Sequence, residues 1–167
     1  MAGTDDSRTD PVRIVMVDNH ALVRTGLRRI IEDCWGFRVV GEAGTAAEAL
    51  ALLDGARPEL VTVDIGVPDL DGLDLIPMIL RKCPAAGVVV VANHYGPSDL
   101  RRALRSGARG YVTKADRTEV LRLALSAAAR GESFLSPRIT SLVIDELCRG
   151  KEVSAPSVEG GADIGTA

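Results

Sequence analysis

Aromatic residues make up only 3% of this 167-residue chain, so its core has to be built from Val, Leu, Ile and Ala. Long apolar runs are missing as well. The longest, around Val88-Val89-Val90-Val91-Ala92, is far too short to cross a bilayer, and no membrane contact is expected. The first residues, Met1-Ala2-Gly3-Thr4-Asp5-Asp6-Ser7, hold neither the basic nor the apolar region of a secretory signal, so secretion is not expected. Cysteine is sparse: Cys34, Cys83 and Cys148 are odd in number, widely spaced and form no CxxC. They read as reduced thiols at helix ends in a cytoplasmic protein. Basic excess is lacking too. A net charge of −3 does not give the footprint of a nucleic-acid binder, and no direct nucleic-acid contact is expected from this chain. A P-loop Gly-Lys-Ser/Thr, a GxGxxG and a GxSxG are all absent, which puts an enzyme well behind a binding module.

Hydrophobic residues at 46% and charged residues at 26% give a soluble globular composition, and the length suffices for one domain with a full core. From Val12 onward, strand-like and helix-like segments alternate five times. That is the mark of a parallel sheet covered on both faces. The strand candidates are 13–17, 37–43, 60–64, 87–91 and 110–113, and valines 88–91 form the clearest of them.

Apolar residues at three-to-four spacing mark the helices between. Val23, Leu27, Ile30, Ile31 and Cys34 line the first, and Thr45 caps the second with Glu48 completing a capping box. The third covers 73–82, with Pro77 in its first turns or kinking it. The fourth follows Pro97-Ser98 and stops at Gly107; the fifth covers 117–130, with Val120, Leu121, Ala124, Leu125 and Ala128 inward. Over 132–150 one more amphipathic helix is expected, capped by Ser136-Pro137 and striped by Ile139, Leu142, Val143 and Leu147. Residues 1–11 read as a flexible arm and 151–167, with Pro156 and Gly160-Gly161, as a flexible linker or tail.

Two aspartates stand out. Asp18 closes the first strand and Asp64 the third, the positions that line the ligand crevice of an open parallel sheet. Carboxylates meeting there repel one another unless a cation or chemistry uses them. Lys114, after the fifth strand, is a third such residue.

Three segments carry a family resemblance: Val17-Asp18-Asn19-His20-Ala21-Leu22-Val23-Arg24, Asp64-Ile65-Gly66-Val67-Pro68-Asp69-Leu70-Asp71-Gly72, and Gly107-Ala108-Arg109-Gly110-Tyr111-Val112-Thr113-Lys114. In that order they resemble the receiver domain of two-component response regulators. Val40-Gly41-Glu42-Ala43 and Phe134-Leu135-Ser136-Pro137 resemble the NarL/LuxR-type branch in particular. The resemblance covers about residues 12 to 147, with the receiver proper at 12–131. It implies a flavodoxin-like α/β fold of three layers: a five-stranded parallel sheet in the order 2-1-3-4-5, five helices and a C-terminal linker helix.

The same resemblance implies a phosphorelay role. Asp64 would accept a phosphoryl group from a sensor histidine kinase or a small phosphodonor. Asp18, Asn19, Asp64 and the Gly66 carbonyl would hold Mg²⁺, and Lys114 would pair with the phosphoryl oxygens. Ala92 and Tyr111 occupy the switch positions, and the family's aromatic there turns inward on activation. Homodimerisation through the first and fifth helices is implied, with Leu121 and Leu125 as candidates, as the regulatory part of a transcription regulator. Singly these residues have plainer readings: a solvated lysine, a half-buried strand tyrosine, and turn chemistry at Pro68 and Asp71-Gly72. His20 and His94 are conceivable as a metal pair, though two ordinary loop histidines are the simpler reading.

Three positions depart from the pattern. Asn19 replaces the second carboxylate of an Asp-Asp pair. A unit-charge contact at about 4 Å is worth roughly 4 kcal/mol at an effective dielectric near 20, so weak or absent Mg²⁺ binding is expected. Ala92 replaces a Thr or Ser whose hydroxyl bonds the phosphoryl group, a loss of about 1.5–3 kcal/mol that blunts the response. Gly66 places no side chain beside the site. These departures keep an alternative open: a phosphorylation-independent pseudo-receiver, constitutive or ligand-gated. A haloacid-dehalogenase-like phosphatase would need an acid where His20 stands. Whether a DNA-binding domain belongs to the same protein stays open at this point.

Overall fold

Valines 88–91 become a central strand because each alternate side chain has an apolar face to enter, above and below the sheet. In the computed structural model, which describes residues 10–153 and side chains up to residue 150, this strand is β4 (Gly87–Ala92). Around it lie β1 (Val12–Val17), β2 (Phe37–Ala43), β3 (Leu60–Val63), β5 (Gly110–Thr113) and β6 (Phe134–Leu135). All pairs are parallel, in the order β2-β1-β3-β4-β5-β6. The helices are α1 (Ala21–Glu32), α2 (Ala46–Ala56), α3 (Gly72–Lys82), α4 (Pro97–Ser106), α5 (Thr118–Ala129) and α6 (Pro137–Val153).

Two apolar layers sandwich the sheet. On one face Val15, Val61, Val63, Val88, Val90 and Tyr111 pack against Leu53 of α2, Ile76 and Ile79 of α3, Leu100 of α4 and Ile139 of α6. On the other, Ile14, Met16, Leu60, Val89, Val91 and Val112 meet Ile31 of α1 and Leu121, Ala124 and Leu125 of α5. Fully burying one such aliphatic side chain contributes roughly 1.5–3 kcal/mol, so these layers supply the main driving force for folding.

The three-layer α/β class and the order of the first five strands agree with expectation, but the sheet has a sixth strand. Phe134 N–H donates to Arg109 O at 2.9 Å and Ser136 N–H to Tyr111 O at 3.1 Å, which adds the two-residue β6 beside β5. A segment of two residues shows no periodicity, and its first fixed point is the Ser136 cap that follows. The helix after it runs to Val153, so Cys148 lies inside that helix rather than at an end. Leu147 of the expected stripe is exposed. Most residues assigned to the flexible arm and tail, 1–9 and 154–167, lie outside the described residues.

Leu121 and Leu125 are buried in the α1/α5 layer and are not available as interface residues. Leu22 of α1 and Leu123 of α5 are the large apolar side chains that those two helices expose. The Thr45 cap forms, with Glu48 N–H donating to its hydroxyl at 3.1 Å. The Glu48 carboxylate reaches back to Gly44 N–H at 2.9 Å, one residue earlier than in the standard box. Among the described residues no helix is long and apolar enough to cross a membrane.

Candidate functional site

The sheet ladder itself places the charged groups. One residue past each strand it continues: Asp18 N–H donates to Ala43 O, Asp64 N–H to Val17 O and Lys114 N–H to Ala92 O, each at 2.9 Å. Three Cα positions are thereby fixed at the carboxyl edge of β1, β3 and β5. Strand order reverses at β1 and β3, where open sheets of this kind form their crevice.

The side chains converge. Lys114 Nζ lies 2.5 Å from Asp18 Oδ2 and 3.1 Å from Asp64 Oδ2, with both carboxylates buried. One ammonium thus bridges the two carboxylates. Asp18 Oδ1 accepts the backbone N–H of His20 at 2.8 Å, and Arg24 donates to the Asp18 carbonyl at 2.5 Å. Asp18 Oδ2 takes no directed hydrogen bond and is held by the Lys114 charge alone. Asn19 is exposed.

Gly66 borders the pocket, since a Cβ there would stand 3.7 Å from Asp64 Oδ2. Ala92 ends β4 and is buried, in register with Thr113. Tyr111 is completely buried, pointing inward, and its hydroxyl donates to His94 O at 3.4 Å. Burial, and after it the charges of Asp99 and Asp64, push its phenol well above the usual range. The two histidines do not meet at one cation site. The imidazole of His20 joins Asp18 and Asp64 in a set whose ligand atoms lie within 4.8 Å of one another, whereas His94 contributes its carbonyl to Tyr111.

Two supporting residues escaped the sequence reading. Asp69 accepts Ala46 N–H at 2.8 Å and Ala47 N–H at 3.0 Å, so the loop after Asp64 caps α2 from a distance. Those two bonds hold its carboxyl below the usual carboxylate range. Gly72 lies against the Asp64 backbone: a Cβ at that position would come within 2.3 Å of Asp64 O and 2.7 Å of Ile65 Cα. The Asp71-Gly72 pair gave a turn signal in sequence, but nothing local announced this close approach.

The response regulator receiver domain family matches residues 14–126. This chain belongs to that family. Among relatives, the nitrate/nitrite response regulator protein NarL of Escherichia coli K12 is 33% identical over 143 residues, covering 84% of this chain and 65% of NarL. The chain thus spans a little under two-thirds of that relative's length. A two-component response regulator of the LuxR family from Aurantimonas sp. SI85-9A1 superposes with a TM-score of 0.80 at 34% identity, over 83% of this chain and 99% of that one. The isolated receiver domain of RcsB from Salmonella enterica serovar Typhimurium, solved with phosphomimetic BeF3⁻, gives 0.74 at 25% identity, over 80% and 99%. The receiver domain described here is therefore of the NarL/LuxR type.

Receiver domains bind Mg²⁺ in an acidic pocket, and the donors present here suit a divalent cation. Two carboxylates face one another, and Asp18 Oδ2 is buried without a directed hydrogen bond. Any such cation has to compete with the Lys114 ammonium for those oxygens.

Proposed function

We propose that this receiver accepts a phosphoryl group on Asp64 from a phosphohistidine of a sensor histidine kinase, or from a small phosphodonor. The supporting observation is the Lys114 ammonium, 3.1 Å from Asp64 Oδ2 and poised over the oxygen that would attack. An Asp64 oxygen forms the new P–O bond while the P–N bond to the donor imidazole breaks; the imidazole keeps the electron pair and takes up a proton. Lys114 then follows the charge onto the phosphoryl oxygens, where positioning and electrostatics do most of the work. Asp18, Asp64, the Gly66 carbonyl and, more weakly, Asn19 would hold Mg²⁺, which when bound neutralises phosphoryl oxygens.

Output runs through docking rather than catalysis. The exposed Leu22 and Leu123 support homodimerisation through α1 and α5. In a longer regulator of the NarL kind, DNA contact would fall to a separate output domain, with the receiver working in the cytoplasm.

A second reading, a phosphorylation-independent pseudo-receiver, is favoured by one observation: Tyr111 is already fully buried, paired with Val90 of β4 in the same apolar layer as Ala92. Incubation with Mg²⁺ and acetyl phosphate separates the two. Phosphate on Asp64 supports the relay role; a ligand-induced melting shift without any phosphodonor supports the alternative.

A further inference from the structure

We infer that His20 is a further metal ligand in this pocket, adding a nitrogen donor to the oxygens that would hold Mg²⁺, so that the site prefers a borderline divalent metal. The inference rests on reading the pocket as a cation site and adds which cation and which donor. His20 Nδ1 lies 3.3 Å from Asp18 Oδ1, at ion-pair distance but without a directed hydrogen bond; the hydrogen bond from His20 to Asp18 comes from its backbone N–H. Neighbouring donors on a metal with bonds of about 2.1 Å stand roughly 3.0 Å apart in an octahedron and about 3.4 Å in a tetrahedron. The observed 3.3 Å falls inside that interval. The Asp18, His20 and Asp64 ligand atoms all lie within 4.8 Å of one another, close to the maximum near 4.2 Å for two donors on one such ion.

The neighbouring residue points the same way. Asn19 is exposed and lacks the charge that would favour a hard cation. Removing a carboxylate while adding an imidazole shifts preference from Mg²⁺ toward Co²⁺, Ni²⁺ or Zn²⁺, because imidazole suits those ions and Mg²⁺ gives up its water reluctantly. His20 is half exposed on its side chain, at 56%, so the ring has freedom to turn the remaining distance.

Any site prefers Co²⁺ to Mg²⁺ to some degree, so the diagnostic is dependence on His20. Co²⁺ is titrated into the whole chain and into His20→Ala and His94→Ala, with the visible Co²⁺ spectrum and calorimetry as readouts and no phosphodonor present. The expected result is a loss of Co²⁺ affinity of about tenfold or more in His20→Ala, with Mg²⁺ affinity and the His94→Ala protein unaffected. Equal Co²⁺ affinity in wild type and His20→Ala overturns the inference, and so does binding lost through His94→Ala instead. Because no phosphoryl group is involved, a chain that binds Co²⁺ through His20 but never accepts phosphate at Asp64 sinks the relay reading alone.

Discussion

The phenol of Tyr111 donates a hydrogen bond to the carbonyl of His94, tying β5 to the loop between β4 and α4. The ring itself is fully buried. Burial holds its pKa above the ordinary value of 10.0, so the folded chain keeps a proton that the unfolded chain releases. Stability from this group is intact below that value and falls as pH rises beyond it. A spectrophotometric titration will show one tyrosine ionising only together with loss of fold. Tyr111→Ala, which empties a core position, costs about 3–5 kcal/mol in denaturant unfolding, by analogy with other large aromatics.

Gly72→Ala will be damaging although Gly72 sits in the first turn of a helix, where Ala is usually welcome. The atoms in the way, Asp64 O and Ile65 Cα, are backbone and cannot rotate aside. A destabilisation of about 2 kcal/mol or more is expected from chemical denaturation, together with slower phosphorylation as Asp64 is pushed out of place.

Asp69→Ala removes the acceptor for Ala46 and Ala47 N–H and frees the loop after Asp64 from α2. Because those bonds lower the Asp69 pKa from 3.8, their stabilisation is present above that value and disappears as pH falls through the lowered folded pKa. Melting curves will therefore separate wild type from variant at neutral pH and converge in acid.

Lys114→Met leaves Asp18 and Asp64 facing each other without the ammonium that now bridges them. Removing one partner from a buried ionic group costs about 3–5 kcal/mol. Asp64→Asn relieves the same repulsion and will be neutral or stabilising. Thermal melts of the two variants, with and without divalent cation, check the contrast; added cation is expected to restore part of what Lys114→Met loses.

Much of this was legible in the sequence because the signals were local. Valines 88–91 have no surface to face other than two apolar layers, and Gly107 closes α4 with a φ of 105° that L residues avoid. The positions of Asp18, Asp64 and Lys114 followed from one repeated rule, a polar residue after an aliphatic strand. The missed features are long-range or too short. Asp69 meets α2 across more than twenty residues of chain, Gly72 is constrained by a backbone it touches only after folding, and β6 is two residues long. Leu121 and Leu125 were ambiguous for a different reason: spacing says that a helix has an apolar face, not whether sheet or partner covers it.

The decisive measurement is intact mass after incubation with acetyl phosphate and a divalent cation, run on wild type, Asp64→Asn and the exposed-residue control Asp54→Asn. The expected result is a gain of one phosphoryl group in wild type and control and none in Asp64→Asn. A wild-type chain that gains nothing, or a gain that survives Asp64→Asn, would contradict the assignment of Asp64 as acceptor.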